Sequence, residues 1–174
     1  MASTKMVKAI NAQINAETYS AYLYLAMSAW AANAGLPGTA KWLFVQGQEE
    51  LTHSWRFYLY LIKIGQPVVL DAIAKPPAVF KTAEGLFEEV LKHEKKVTAL
   101  INDLVNLARA DKDHATDVFL QWFVNEQVEE EENVNNILSQ LRLAGDKGGG
   151  LFMIDKELAA RAFVMPPDLA AAAV

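Results

Sequence analysis

Four glutamates in this sequence interrupt helical stripes that are otherwise apolar, and one of them heads a Glu-x-x-His motif. Met6, Ile10, Ile14, Glu17, Ala21 and Tyr24 recur at spacings of three and four, so Glu17 lies on the apolar face of a helix. The same reading places Glu50 in the stripe Leu43, Gly47, Glu50, Ser54, Phe57, Leu61, Ile64. It places Glu94 among Phe87, Val90, Leu91, Val97, Ile101, Leu104 and Ala108, and Glu130 among Phe119, Phe123, Gln127, Val134, Ile137 and Leu141. Unpaired buried carboxylates are costly and repel one another, so such a group must be protonated, paired with cations or bound to metal.

The central stripe positions supply no Lys or Arg. In Glu50-Leu-Thr-His53 the i, i+3 spacing lets a carboxylate and an imidazole reach one point from one helical face. Inward Glu on two helices, with Glu-x-x-His on others, is the pattern of di-iron carboxylate bundles. The fourth helix departs from it, because Gln127-Val-Glu-Glu130 stands where a second Glu-x-x-His would be. Oxygen donors therefore dominate, which admits iron, manganese or magnesium, and His53 shifts the preference toward transition metals.

The acidic run "NEQVEEEENV" divides by angle. At about 100° per residue, Glu131 and Glu132 turn away from Glu130 and read as solvent-facing. Glu126 and Glu129 flank Glu130 on one side, as surface charges or as a further ion site with Glu49 as partner. Tyr24 packs in the core or bonds a ligand beside Glu17. Trp122 reads as packing, and His93 and His114 lie off the inward stripes and receive no function.

These side chains require long helices. Periodicity predicts helices over residues 5–33, 39–64, 83–110 and 114–144, each about 40 Å long at 1.5 Å per residue. "AGLPGT" and "DKD" make short turns, whereas "GQPVVLDAIAKPPAVFKT" holds three prolines and reads as an extended connection. The expectation is an all-α four-helix bundle with a long crossover between its second and third helices, forming a single domain over residues 1–174. "GDKGGG" precedes a short amphipathic fifth helix over 151–163, and a tail follows over 164–174. Lacking cysteine, the chain excludes disulfides, thiolate zinc sites and iron–sulfur clusters and suits a reducing cytoplasm. Its formal charge of −5 argues against a nucleic-acid surface. The uncharged stretch from Thr18 to Ala40 reads as a buried helix and not a membrane span, and no secretory signal is apparent.

The segments "INAQINAETYSAYLYLAMSAW", "QGQEELTHSWRFYLYL", "EVLKHEKKVTALINDL", "FLQWFVNEQVEEEENV" and "LFMIDKELAARAF" resemble bacterial and archaeal non-haem ferritins over nearly the whole chain. The resemblance implies a ferroxidase that oxidises Fe(II) with O2 or H2O2 and stores it as hydrated ferric oxide in a shell of 24 subunits. It further implies that Glu17, Glu50 and His53 ligate a first iron, with Glu50 bridging, and that Glu94 and Glu130 ligate a second. Glu49, Glu126 and Glu129, sharing Glu130, resemble a third-iron site. Tyr24 matches the tyrosine beside the centre, Trp122 a nearby aromatic residue and Gln127 a site-lining glutamine. Thr52 stands where the haem-containing bacterioferritins carry a methionine ligand, and Glu130 replaces the second histidine of their di-iron site, so haem is not expected. The competing enzyme class is a di-metal oxygen- or peroxide-scavenging protein without mineral storage, and the passive alternative is a calcium- or magnesium-binding bundle.

Overall fold

Ser3 starts the first helix by accepting a hydrogen bond from the Met6 amide at 3.1 Å, and Thr82 and Asp113 do the same for the Gly85 and Thr116 amides. These side chains satisfy amides that the first helical turn leaves unpaired. The computed structural model describes residues 2–145 and 148–170. Its helices are α1 (Thr4–Asn33), α2 (Pro37–Lys63), α3 (Ala83–Ala110), α4 (His114–Ala144), α5 (Gly149–Leu158) and α6 (Pro167–Ala170). The four long helices match the periodic stretches of the sequence to within two residues at each end.

Short turns make α1 and α2, and α3 and α4, antiparallel pairs. Asn11 donates to Pro67 O at 3.1 Å and accepts from the Val69 amide at 2.7 Å, and Asn15 donates to Asp71 O and Ala72 O. Farther along α1, Trp30 meets Phe80 edge-on at 5.7 Å. The connection after α2 thus climbs the length of α1, and α3 starts at the end of the bundle where α2 also starts. This is the one-crossover arrangement, with α2 and α3 parallel.

Two apolar clusters fill the interior. One gathers Tyr24, Met27, Leu43, Leu86, Phe87 and Leu138, and the other Met6, Ile10, Phe57, Leu61, Ile101, Leu120 and Phe123. Full burial of each such Leu, Ile or Phe side chain contributes about 1.5–3 kcal/mol. The acidic residues of the stripes lie between the two clusters, so apolar packing above and below holds a polar belt in place.

The C-terminal segment differs from expectation. α5 ends at Leu158, short of Phe163, and the four-residue α6 was not foreseen. Asp155 explains the docking: its carboxylate accepts from the Gly38 amide at 2.9 Å and from the Thr39 amide and hydroxyl at 2.7 and 2.8 Å. Leu36 gives α2 no side-chain cap, so a residue of α5 caps α2 instead. Only glycine fits at 38, because a Cβ there would lie 1.6 Å from the Asp155 carbonyl oxygen. Lys41 bonds the Ala159 carbonyl at 2.8 Å, which ends α5 at that point. Residues 146–147 of the glycine-rich link and 171–174 of the tail lie outside the described residues.

Candidate metal centre

Mid-helix positions on α1–α4 bring Glu17, Glu50, His53, Glu94, Gln127 and Glu130 into the polar belt, each of them buried. Glu17, Glu50 and His53 offer donor atoms that all lie within 4.8 Å of one another. His53 Nδ1 faces Glu50 at 3.4 Å, and its Nε2 faces Glu126 at 3.6 Å. The imidazole is wedged between Trp122 and Phe123, whose ring centroids lie 5.5 and 6.2 Å away.

Amide side chains hold these carboxylates. Gln13 donates to Glu17 at 2.7 Å and Gln46 to Glu50 at 3.2 Å, each across one helical turn. On the other side of the belt the Tyr24 hydroxyl donates to Glu94, and Gln127 donates to the same carboxylate at 3.2 Å. One oxygen each of Glu17 and Glu130 is buried with no hydrogen-bond partner. Orphaned acceptors of this kind fit a cation.

Burial pushes the Glu17 carboxyl up to about 8, with the Glu50 charge adding to the effect. Burial and Glu50 likewise raise Glu130 to about 7. Burial, Glu50 and Glu130 hold Glu94 well above the usual carboxylate range. Glu50 is the exception: burial opposes its ionisation, but the charge and hydrogen bond of His53 outweigh burial and lower its pKa. His53 is raised reciprocally, because Glu50 and Glu126 overcome the effect of its own burial. Burial, then Glu94, drives the Tyr24 hydroxyl far above its ordinary value. The belt therefore holds one ionised carboxylate beside an imidazolium, with Glu17 and Glu94 held toward the neutral acid and Glu130 close to half-protonated at neutral pH.

The inward residues of the stripes are thus brought together. Tyr24 packs in the core, fully buried, and its hydroxyl donates to Glu94 and not toward Glu17. Glu126 is half-buried against His53, whereas Glu129 is exposed. Glu131 is not fully solvent-facing: it is half-buried and accepts from the Thr98 hydroxyl of α3 at 2.6 Å. Glu132 is exposed as read. Gln13, Gln46 and Arg161 are absent from the set the stripes single out. The two glutamines carry a signal, each lying four residues before an inward Glu; Arg161, which bonds Glu49 across 112 residues, carries none. His93 lies off the belt but bonds Ser20 at 2.7 Å.

A family model for the ferritin-like domain matches residues 7–144. The chain belongs to the ferritin family. It is 43% identical over 158 residues to a probable bacterial non-heme ferritin-like protein of Haemophilus influenzae, covering 91% of this chain and 96% of that one. A bacterial non-heme ferritin of Bacteroides fragilis is 42% identical over 161 residues, covering 92% of this chain and 100% of the relative. Among solved structures, an engineered closed form of the Archaeoglobus fulgidus ferritin superposes with a TM-score of 0.93 at 45% identity, covering 94% of this chain and 100% of that one. The open-pore ferritin of the same archaeon gives 0.92 at 45% identity, covering 93% and 100%. The family model ends with α4, whereas the matches of 158 and 161 residues run past residue 144 into the C-terminal segment.

Proposed function

We propose that this ferritin-family chain oxidises Fe(II) to Fe(III) in its polar belt and stores the product as hydrated ferric oxide inside a shell built from copies of itself. The observation that carries this reading is the buried Glu17–Glu50–His53 group, with orphaned carboxylate oxygens on Glu17 and Glu130. In this reading Glu17 and His53 hold one ferrous ion, Glu94 and Glu130 a second, and Glu50 bridges. Glu49, Glu126 and Glu129 receive a third ion beside Glu130. The C-terminal segment lies outside the residues that the family model matches but belongs to the same domain, which the Asp155 contacts with α2 support.

The chain's own groups account for the chemistry. Each protonated carboxyl gives up its proton as a cation arrives, and the His53 imidazolium gives up the one on Nδ1, which couples metal binding to proton release. His53 turns Nδ1 to the belt while Glu126 steadies Nε2, and Tyr24 and Gln127 fix Glu94. Two ferrous ions give one electron each to O2, and two protons complete H2O2. Anionic oxygen donors favour the ferric product over the ferrous substrate. The cytoplasm is the compartment proposed, where Fe(II) and oxidant meet; among the described residues no helix is long and apolar enough to cross a membrane.

Self-association is supported by large apolar side chains left exposed on the outer faces of α1 and α2, among them Tyr22, Leu25, Phe44 and Trp55. Aerobic ferrous loading of the purified protein, followed by particle sizing and iron counting, tests the whole reading. The expected result is a large particle holding many irons per chain. A monomer or dimer retaining only a few irons would sink storage even if oxidation occurred, and would favour the scavenging alternative.

A further inference from the structure

Arg161, just past α5, is among the described residues the one guanidinium paired with the acidic cluster beside the belt. One of its Nη atoms donates to Glu49, and its guanidinium carbon sits 4.4 Å from the Trp42 ring centroid. The pair is shielded, with side-chain exposures of 20% for Arg161 and 29% for Glu49, so bulk solvent screens it less than a surface ion pair. Its charge also acts on Glu130. Yet the contact is incomplete: Arg161 Nη1 is buried with no hydrogen-bond partner, as is one oxygen of Glu130. A buried donor and a buried acceptor of the same cluster are both unpaired, which is costly to the closed form.

We propose that Arg161 is the resident counter-cation of the third position, and that a third metal ion binds at Glu49 only by displacing its guanidinium. The inference rests on the proposed assignment of Glu49, Glu126 and Glu129 to that position. Two cations on one carboxylate repel, whereas either one alone neutralises it. The segment carrying Arg161 is anchored on both sides without it, by Lys41 to Ala159 O at 2.8 Å and by Arg56 to Asp168 at 3.1 Å. The side chain is therefore free to swing while the backbone stays docked. Arg161 thus discriminates by charge and count: the belt fills first, and the third position opens only to a cation that outcompetes an arginine. The unpaired Nη1 and Glu130 oxygen keep that competition within reach of a divalent metal.

Anaerobic calorimetric titration of assembled wild type, Arg161→Ala and Arg161→Lys with Zn2+ tests this. The expected result is three ions per chain, the third tightening about tenfold in Arg161→Ala and the first two by much less. Arg161→Lys keeps the charge but loses the planar fork, and falls between the two. In crystals grown with Zn2+, an ion at Glu49 is accompanied by Arg161 rotated away from it. An unchanged or weaker third step in Arg161→Ala overturns the proposal, as does Arg161→Lys tightening as much as Arg161→Ala. An ion at Glu49 with the arginine still bonded also overturns it. Loss of the first two steps in wild type would instead mark failure of the di-iron reading.

Discussion

Glu130 concentrates the electrostatics of the belt. Its pKa of about 7, and that of Glu17 at about 8, exceed the unfolded carboxylate value of 4.5. The folded metal-free chain therefore binds more protons than the unfolded one between these values, and its stability falls as pH rises from about 4.5 through 8. Their stabilising contribution is fully present below 4.5 and lost above the folded pKa values. Metal binding should release protons, increasingly so as pH falls from about 8 toward 6, and calorimetry in buffers of different ionisation enthalpy measures the release. Glu130→Gln should stabilise the metal-free protein at pH 8 by about 1 kcal/mol, or roughly 2–4 °C in Tm, while slowing initial ferrous oxidation about tenfold or more. Unchanged initial kinetics would remove Glu130 from the centre. The inward glutamates were legible in the sequence because a 3.6-residue period fixes which way a side chain points. The partners of Glu49 and Glu131 were not, since Arg161 and Thr98 meet them from other elements and no periodicity records that.

Among the elements, α1–α4 announce themselves through long apolar stripes, and their ends through Ser3, Thr82 and Asp113. The start of α2 and the extent of α5 do not, because each is completed by the other. Gly38→Ala places a methyl group where the Asp155 carbonyl stands, and no flexible neighbour is there to yield. The expected outcome is displaced α5, faster proteolysis after residue 145 and a destabilisation of about 2 kcal/mol or more, comparable to other overpacked contacts. Protection and Tm equal to wild type would show that α5 is docked by other means. Thr39 and Lys41, uninformative as sequence, are thereby residues of the α2–α5 joint.

For the whole molecule, large apolar side chains stand exposed on α1 and α2, Tyr22, Leu25, Phe44 and Trp55 among them, and others on the connection after α2, on α4 and on α5. Trp55 stands beside a groove of 490 Å³ lined by Leu51, Tyr58, Leu59 and Leu70. Trp55→Glu should leave the chain folded, since the residue is 43% exposed, but shift sedimentation from the proposed shell toward small species. A shell of undiminished size would place the association surface elsewhere. Which copies touch which was not legible in one chain's sequence, because an exposed stripe looks the same whether water or a neighbour covers it.

The carboxylate that caps α2 comes from more than 110 residues farther along the chain. During synthesis α2 therefore leaves the ribosome without its side-chain cap, and stays so until Asp155 has been made. At about 5–20 residues per second this is a wait of several seconds or more. A nascent chain cut short before α5 would carry every long helix and the acidic belt, yet lack the group that closes the end of the bundle. The emergence of α5 is in this way registered at the start of α2.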